Sequence, residues 1–210
     1  MRHAPHSRRS DARGFSLIEV LVSMLIVVVG LLGLAGMQAR AQIAELEAYQ
    51  RAQALVLLYD MVDRINNNRL TASCFRITTD TTNGAPYFGD PANPVTPTCA
   101  ADTIANNAMA VASMTNWDNL LRGASETKAG ASVGAMIGAR GCISYKSSTE
   151  YQTTAGASVS DTGEYTISVS WQGMADTFTP VAVCGKGLYG SEAKRRTVWA
   201  TMRVGTLKVQ

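Results

Sequence analysis

Val20 to Met37 is a run of 18 residues without a charged side chain, and no later stretch of the 210-residue chain approaches it. With Phe15 to Glu19 in front, and at ~1.5 Å of rise per residue, the segment is a helix close to the ~30 Å needed to cross a bilayer core. The only polar side chains between Phe15 and Met37 are Ser16, Glu19 and Ser23. Arg2, Arg8, Arg9 and Arg13 all precede it, which predicts a cytoplasmic N-terminus and an outward-facing C-terminus. A secretory signal carries its Ala-x-Ala cleavage site after the apolar core. Here the small residue Gly14 stands directly before the core. A cut at that position would leave the helix on the mature protein. The expected organisation is therefore a leader over 1–14, a long helix over 15–68 that spans the membrane over about 15–37, and an extracytoplasmic head over 69–210.

Charge and composition narrow the functional classes. Of 19 basic and 16 acidic side chains, four and one fall in the leader, so the remainder is formally neutral. Global charge thus gives no support to a nucleic-acid partner. Both histidines, His3 and His6, lie in the leader. A processed chain would lack the usual general base and commonest metal ligand, which argues against an enzyme, a metal site or a cofactor. The four cysteines, Cys74, Cys99, Cys142 and Cys184, are widely spaced and contain no CxxC pair. Metal knuckles and redox motifs need close pairs, whereas an even number of spaced cysteines behind an export segment points to two disulfides in an oxidising compartment.

After Met37 the pattern turns amphipathic. Ile43, Leu46, Ala54, Leu57, Leu58, Met61 and Ile65 recur at three- and four-residue steps, and Glu47–Arg51 and Asp60–Arg64 are candidate i,i+4 ion pairs. The helix is expected to run to Asn66-Asn67-Asn68, which act as its stop. Pro86, Pro91, Pro94 and Pro97 make the stretch between Cys74 and Cys99 an irregular loop. Ile104, Ala108, Val111, Met114, Trp117 and Leu121 predict a second helix over about 101–122, followed by a Gly/Ala/Ser-rich linker over 123–140. Tyr165, Ile167, Val169 and Trp171 alternate with Thr166, Ser168 and Ser170, the pattern of a half-buried strand. Val198, Ala200, Met202 and Val204 alternate likewise, and Ile143 with Tyr145 opens a third strand. Meander pairing of 141–146 with 164–172 and then 196–204 gives an antiparallel sheet against the long helix, an α+β fold. Trp117 and Trp171 are read as core residues rather than stacking platforms.

The stretch Arg13-Gly14-Phe15-Ser16-Leu17-Ile18-Glu19-Val20-Leu21-Val22 closely resembles the class III signal of type IV pilins and pseudopilins. That resemblance implies cleavage after Gly14 by a prepilin peptidase, N-methylation of Phe15, and a role for Glu19 in assembly. A carboxylate inside an apolar segment costs roughly 2.5–3.5 kcal/mol on insertion scales, so Glu19 needs a partner. The amine created at Phe15, with a reference pKa of about 7.7–8.0, supplies one on a neighbouring subunit. Gly30, Gly33 and Gly36 recur every third residue, and major pilins often carry a proline near where Gly36 stands. They permit either local melting or close helix packing.

The resemblance also implies the pilin fold, a long helix packed on an antiparallel sheet. Short stretches beyond the N-terminal motif, among them Asp60-Met61-Val62-Asp63-Arg64 of the long helix and Trp117-Asp118-Asn119-Leu120-Leu121 of the head, resemble minor pilins of the type IV pilus. The expected partners are other minor pilins, the major pilin, the prepilin peptidase and the inner-membrane assembly platform. The expected location is the inner membrane, with the head in the periplasm, and the pilus at the cell surface. The alternatives are a minor pseudopilin of type II secretion, or a surface adhesin or DNA-uptake pilin. Adhesion would use loops 80–98 or 147–163, and DNA capture the basic triplet Lys194-Arg195-Arg196. Of the three possible connectivities, the sequential pairs Cys74–Cys99 and Cys142–Cys184 are expected. They would close loops worth about 3–4 kcal/mol each by chain entropy.

Overall fold

A computed structural model describes residues 14–124, 126–132, 134 and 136–205. The basic leader stretch 1–13, with His3, His6 and its four arginines, lies outside the described residues. Helix α1 runs over Leu17–Asn67, α2 over Ile104–Leu121, and five strands follow: β1 Thr127–Lys128, β2 Ala131–Ser132, β3 Arg140–Lys146, β4 Glu164–Gln172 and β5 Arg195–Arg203. Strands β3-β4-β5 form an antiparallel meander in that order, and β1 pairs with β2 in a separate hairpin. The architecture is a long apolar helix plus a small antiparallel sheet, α+β, consistent with the type IV pilin fold. The described residues divide between Ala44 and Glu45 into two compact units.

In the first unit every described residue of α1 is exposed. The second unit holds the core. Ala54, Leu58, Met61 and Ile65 of α1 are buried with Ile143 of β3, Ile167, Val169 and Trp171 of β4, and Val198 of β5. The stripe therefore begins at Gln50 rather than at Ile43 and Leu46, which are 42% and 51% exposed. The three asparagines end the helix as expected. The Asn68 side-chain amide donates to the Arg64 carbonyl at 2.8 Å, and its backbone N–H reaches the same carbonyl at 3.1 Å. Such bonds satisfy a carbonyl that the next helical turn would otherwise have taken.

Helix α2 starts where Thr103 caps it, its hydroxyl accepting from the Asn106 N–H at 3.3 Å. Its buried positions are Ala110, Met114, Trp117, Asp118 and Leu121. Ile104 is 90% exposed and Ala108 is also exposed, so the apolar face read from the sequence holds only from the second turn onward. Trp117 anchors α2 to α1 by donating its indole N–H to the Leu57 carbonyl at 2.9 Å, entirely within the core. The 123–140 linker is more structured than expected, because it carries the β1–β2 hairpin.

The register of the sheet matches the alternation in the sequence: Ile143 pairs with Ile167, and Ile167 with Ala200. One departure is that Ser168 and Ser170, expected on a solvated face, are buried. The Ser170 hydroxyl donates to the Cys184 carbonyl at 2.7 Å, so the segment around Cys184 covers that face. Cys142 and Cys184 are joined at 2.04 Å and Cys74 and Cys99 at 2.06 Å. Along the other side of β3, Phe88 and Gly141 exchange backbone bonds at 2.8 and 3.0 Å, and the Thr78 N–H reaches the Ile143 carbonyl at 2.9 Å.

Gly141 sets how closely α2 approaches β3. A Cβ there would lie 2.2 Å from Trp117 Cη2 and 2.6 Å from Leu121 Cδ1, with no exposed chain end to yield. Gly141→Ala is accordingly expected to destabilise the fold by about 3 kcal/mol through overpacking. Denaturant unfolding of the detergent-solubilised chain, followed by far-UV circular dichroism, checks this. Gly205→Ala serves as the comparison, because a Cβ there meets nothing within 4 Å and the backbone is not in the left-handed region.

Candidate functional site

The first turn of α1 is built on Ser16, whose carbonyl accepts the Glu19 N–H at 3.0 Å and the Val20 N–H at 3.3 Å. Glu19 thus occupies the first helical turn, where the helix dipole favours a carboxylate. Ser23 satisfies itself by donating to the Val20 carbonyl at 2.8 Å. Glu19 makes no ion pair among the described residues and is exposed with the whole segment around it. Exposure runs from 82% at Phe15 to 72% at Met37, and the helix is long and apolar enough to cross a membrane. An uncovered apolar surface of this extent is stable only in lipid or against other apolar helices. A Cβ at Gly30, Gly33 or Gly36 would meet nothing within 4 Å, so all three leave open backbone for a close neighbour.

In the head, arginines hold the loops on the sheet. Arg76 lies over the Tyr145 ring at 3.4 Å, donates to the Tyr165 hydroxyl at 3.2 Å and pairs with Asp161. This clasps the 147–163 loop, whose Glu150 accepts from the Tyr145 hydroxyl at 2.5 Å. Burial, foremost, pushes the Tyr145 and Tyr165 phenols above their ordinary range. Arg140 donates to the Gly89 carbonyl at 2.8 Å beside Asp90, while Asp118 accepts from the Gly89 N–H at 2.6 Å and pairs with Arg122 at 2.5 Å. These contacts fix the middle of the 80–98 loop.

The basic triplet does not form a strip. Arg195 is 2% exposed, bonded to Glu192 at 2.8 Å and to the carbonyls of Ala182, Cys184 and Pro180. Arg196 pairs with Glu47 at 3.0 Å, and the Met174 and Ala175 N–H groups donate to the same Glu47 oxygen at 3.0 and 3.2 Å. The expected Glu47–Arg51 pair is therefore replaced by a bond from α1 to β5, because a partly buried guanidinium and two amides outcompete a solvated i,i+4 partner. The Asp60–Arg64 pair forms as expected, at 2.7 Å. Among the described residues no group of three His, Cys, Asp or Glu side chains is arranged to hold a metal ion. Sequence reasoning missed Arg76 and Arg195 as structural centres. The one available signal was their position, immediately after Phe75 and at the opening of β5.

Residues 9–35 match the family described as the prokaryotic N-terminal methylation motif. This class III signal is the mark of type IV pilin-like and pseudopilin chains, and it covers the apolar segment through most of its length. Neither the curated proteins nor the solved structures contain a match.

Three head carboxyls are held below their ordinary range. For Asp80 the Asn83 side chain is the main cause; for Asp90 it is the Ala92 N–H, against burial and helped by Arg140. For Glu192 burial pushes upward but is outweighed by the Gly187 N–H and Arg195. Carboxyls depressed in the fold stabilise it above their unfolded value of about 4 and lose that contribution as pH falls through the lower folded values. Thermal unfolding is thus expected to be flat from pH 7 to about 5 and to fall steeply below about 4. Asp90→Asn should lower the melting temperature at neutral pH and flatten the acid limb.

Proposed function

We propose that this chain is a minor pilin of the type IV pilus, of the PilV type, that helps to start filament assembly and presents its head at or near the tip. The observation that carries this reading is Glu19, a carboxylate without an ion pair among the described residues, in the first turn of a helix whose apolar N-terminal part is exposed, inside a matched methylation signal. On this reading a prepilin peptidase cuts after Gly14 and the new Phe15 terminus is methylated. The precursor waits in the inner membrane with its head in the periplasm. There the oxidising environment suits Cys74–Cys99 and Cys142–Cys184. Glu19 then pairs with the terminal amine of a neighbouring subunit, which sets one helix in axial register with the next. Its partners are other minor pilins, the major pilin and the assembly platform.

Several features favour a specialised rather than a bulk subunit. The proline common near Gly36 in major pilins is replaced by glycine, and the head stretches that resemble minor pilins include Trp117 and Asp118, which join α2 to α1 and to the 80–98 loop. The reading assigns no catalytic role to the chain.

Two outcomes test it. Mass spectrometry of the membrane-inserted protein should find a mature N-terminus at methylated Phe15, and Gly14→Leu should leave the full-length precursor. A terminus at any later residue contradicts the cleavage site. Glu19→Ala should insert normally, since the helix loses its one costly charge, yet fall at least tenfold in sheared filaments, as loss of a desolvated ion pair of about 1.4 kcal/mol or more requires. Quantitative proteomics of those filaments reads both this loss and the stoichiometry, and a chain as abundant as the main subunit would overturn the minor role.

A further inference from the structure

Between the second unit's part of α1 and the inner face of the sheet lies a cleft of about 260 Å³, lined by Glu47, Ala48, Arg51, Trp171, Arg196, Thr197 and Val198. Two donors that line it have no acceptor. Trp171 is 3% exposed and its indole Nε1 makes no hydrogen bond among the described residues. Buried polar groups are overwhelmingly paired, so an orphaned indole N–H calls for a partner that the chain itself does not supply. Arg51, which is exposed, has no hydrogen bond or ion pair among the described residues.

The carboxylate that the helix places four residues before Arg51 is already committed. Glu47 accepts from Arg196 and from the Met174 and Ala175 N–H groups through the same oxygen. The cleft thus holds two guanidiniums against one carboxylate and carries a surplus of one positive charge and one buried donor. The complement is a monovalent, planar acceptor. Arginine's fork matches a carboxylate in two-point geometry, and a neutral N–H beside it adds direction. A phosphate carrying close to two negative charges would meet Glu47 in the same cleft, and that repulsion disfavours it.

We propose that this cleft receives an aspartate or glutamate side chain from a neighbouring protein subunit, held by the Arg51 guanidinium and the Trp171 indole N–H. The inference rests on the filament-subunit reading and deepens it by giving the head a second, charged contact besides Glu19.

The test uses the full chain in its native membrane. Arg51→Lys keeps the charge and supplies an amine that a carbodiimide condenses with an adjacent carboxylate, one water being lost as the amide forms. Peptide mapping is expected to find that amine joined to an Asp or Glu of another pilin-like chain. Adding Trp171→Phe should cut the yield about fivefold, the loss expected for one neutral donor. The melting temperature of the Arg51→Lys chain alone should stay level, because that side chain makes no internal bond, whereas Trp171→Phe lowers it by the core volume removed. Coupling only to Glu47 of the same chain, coupling to a lipid headgroup, or no coupling overturns the proposal. A photoreactive residue at Ile26 separates the two levels of inference. If it crosslinks to another pilin-like helix while the cleft amine stays silent, the cleft assignment fails and the subunit reading stands. If neither reacts, the subunit reading itself fails.

Discussion

The head depends on one shared surface, the stripe from Ala54 to Ile65 that α1 buries with residues of α2 and the sheet. A three-stranded sheet with only one apolar face has little core of its own, and α2 alone is a short helix of 18 residues. Each becomes stable by covering the same row of side chains. Trp117 makes that arrangement specific, because its N–H finds a carbonyl of α1 while its ring meets Phe88 edge-on at 5.8 Å. A purely apolar residue in that position would fill the space without fixing how α2 rotates against α1. The absent side chain of Gly141 completes the geometry by letting the indole reach the backbone of β3.

Around this core the long connections are held by charge rather than by apolar burial. The 147–163 loop is tied through Arg76, the 80–98 loop through Arg140 and Asp118, and the 173–194 segment through Arg195 and Glu47. Each arginine donates to several groups at once through a rigid planar fork, whereas a lysine concentrates its three donors on one flexible point charge. Two of the loops are closed further by a disulfide, with sequence separations of 25 and 42. Buried guanidiniums satisfied by backbone carbonyls make loops of low apolar content adopt one conformation. The cost is sensitivity to the loss of any one partner, since the remaining charge would stay buried.

The regular elements were legible in the sequence because their signals are periodic and local. Tyr165 to Trp171 alternates with period two, and the asparagines that stop α1 act on the carbonyl one turn back. The ends of the apolar patterns were not legible. Ile43, Leu46 and Ile104 continue the spacing of a buried face, yet the sheet and the facing helix do not extend to cover them. Ser168 and Ser170 looked solvent-facing because period two says which face a residue occupies but not what covers it. A segment drawn in by Cys184 does so here. Glu47 was assigned to Arg51 by local spacing, whereas a residue 149 positions away is its partner. In each case a long-range contact overrode a local rule. The N-terminal methylation motif escapes this limitation, since its match over residues 9–35 rests on order along the chain alone.

The distribution of polar groups follows a common logic at both levels. In the apolar half of α1, Ser23 satisfies itself within the helix and Glu19 is left as the one group that requires something external. In the head, the buried arginines and carboxylates described above find internal partners, and the cleft lined by Arg51 and Trp171 is one place where a buried donor, the indole N–H, remains over among the described residues. Apolar surface supplies affinity for lipid or for another helix but little register, because one apolar row slides against another at small cost. A single charge or oriented donor placed on that surface converts general stickiness into a fixed alignment, since misregister leaves it desolvated and unpaired. On the readings proposed above, two such points, one in the apolar helix and one at the head cleft, would define a subunit's position more tightly than either could alone.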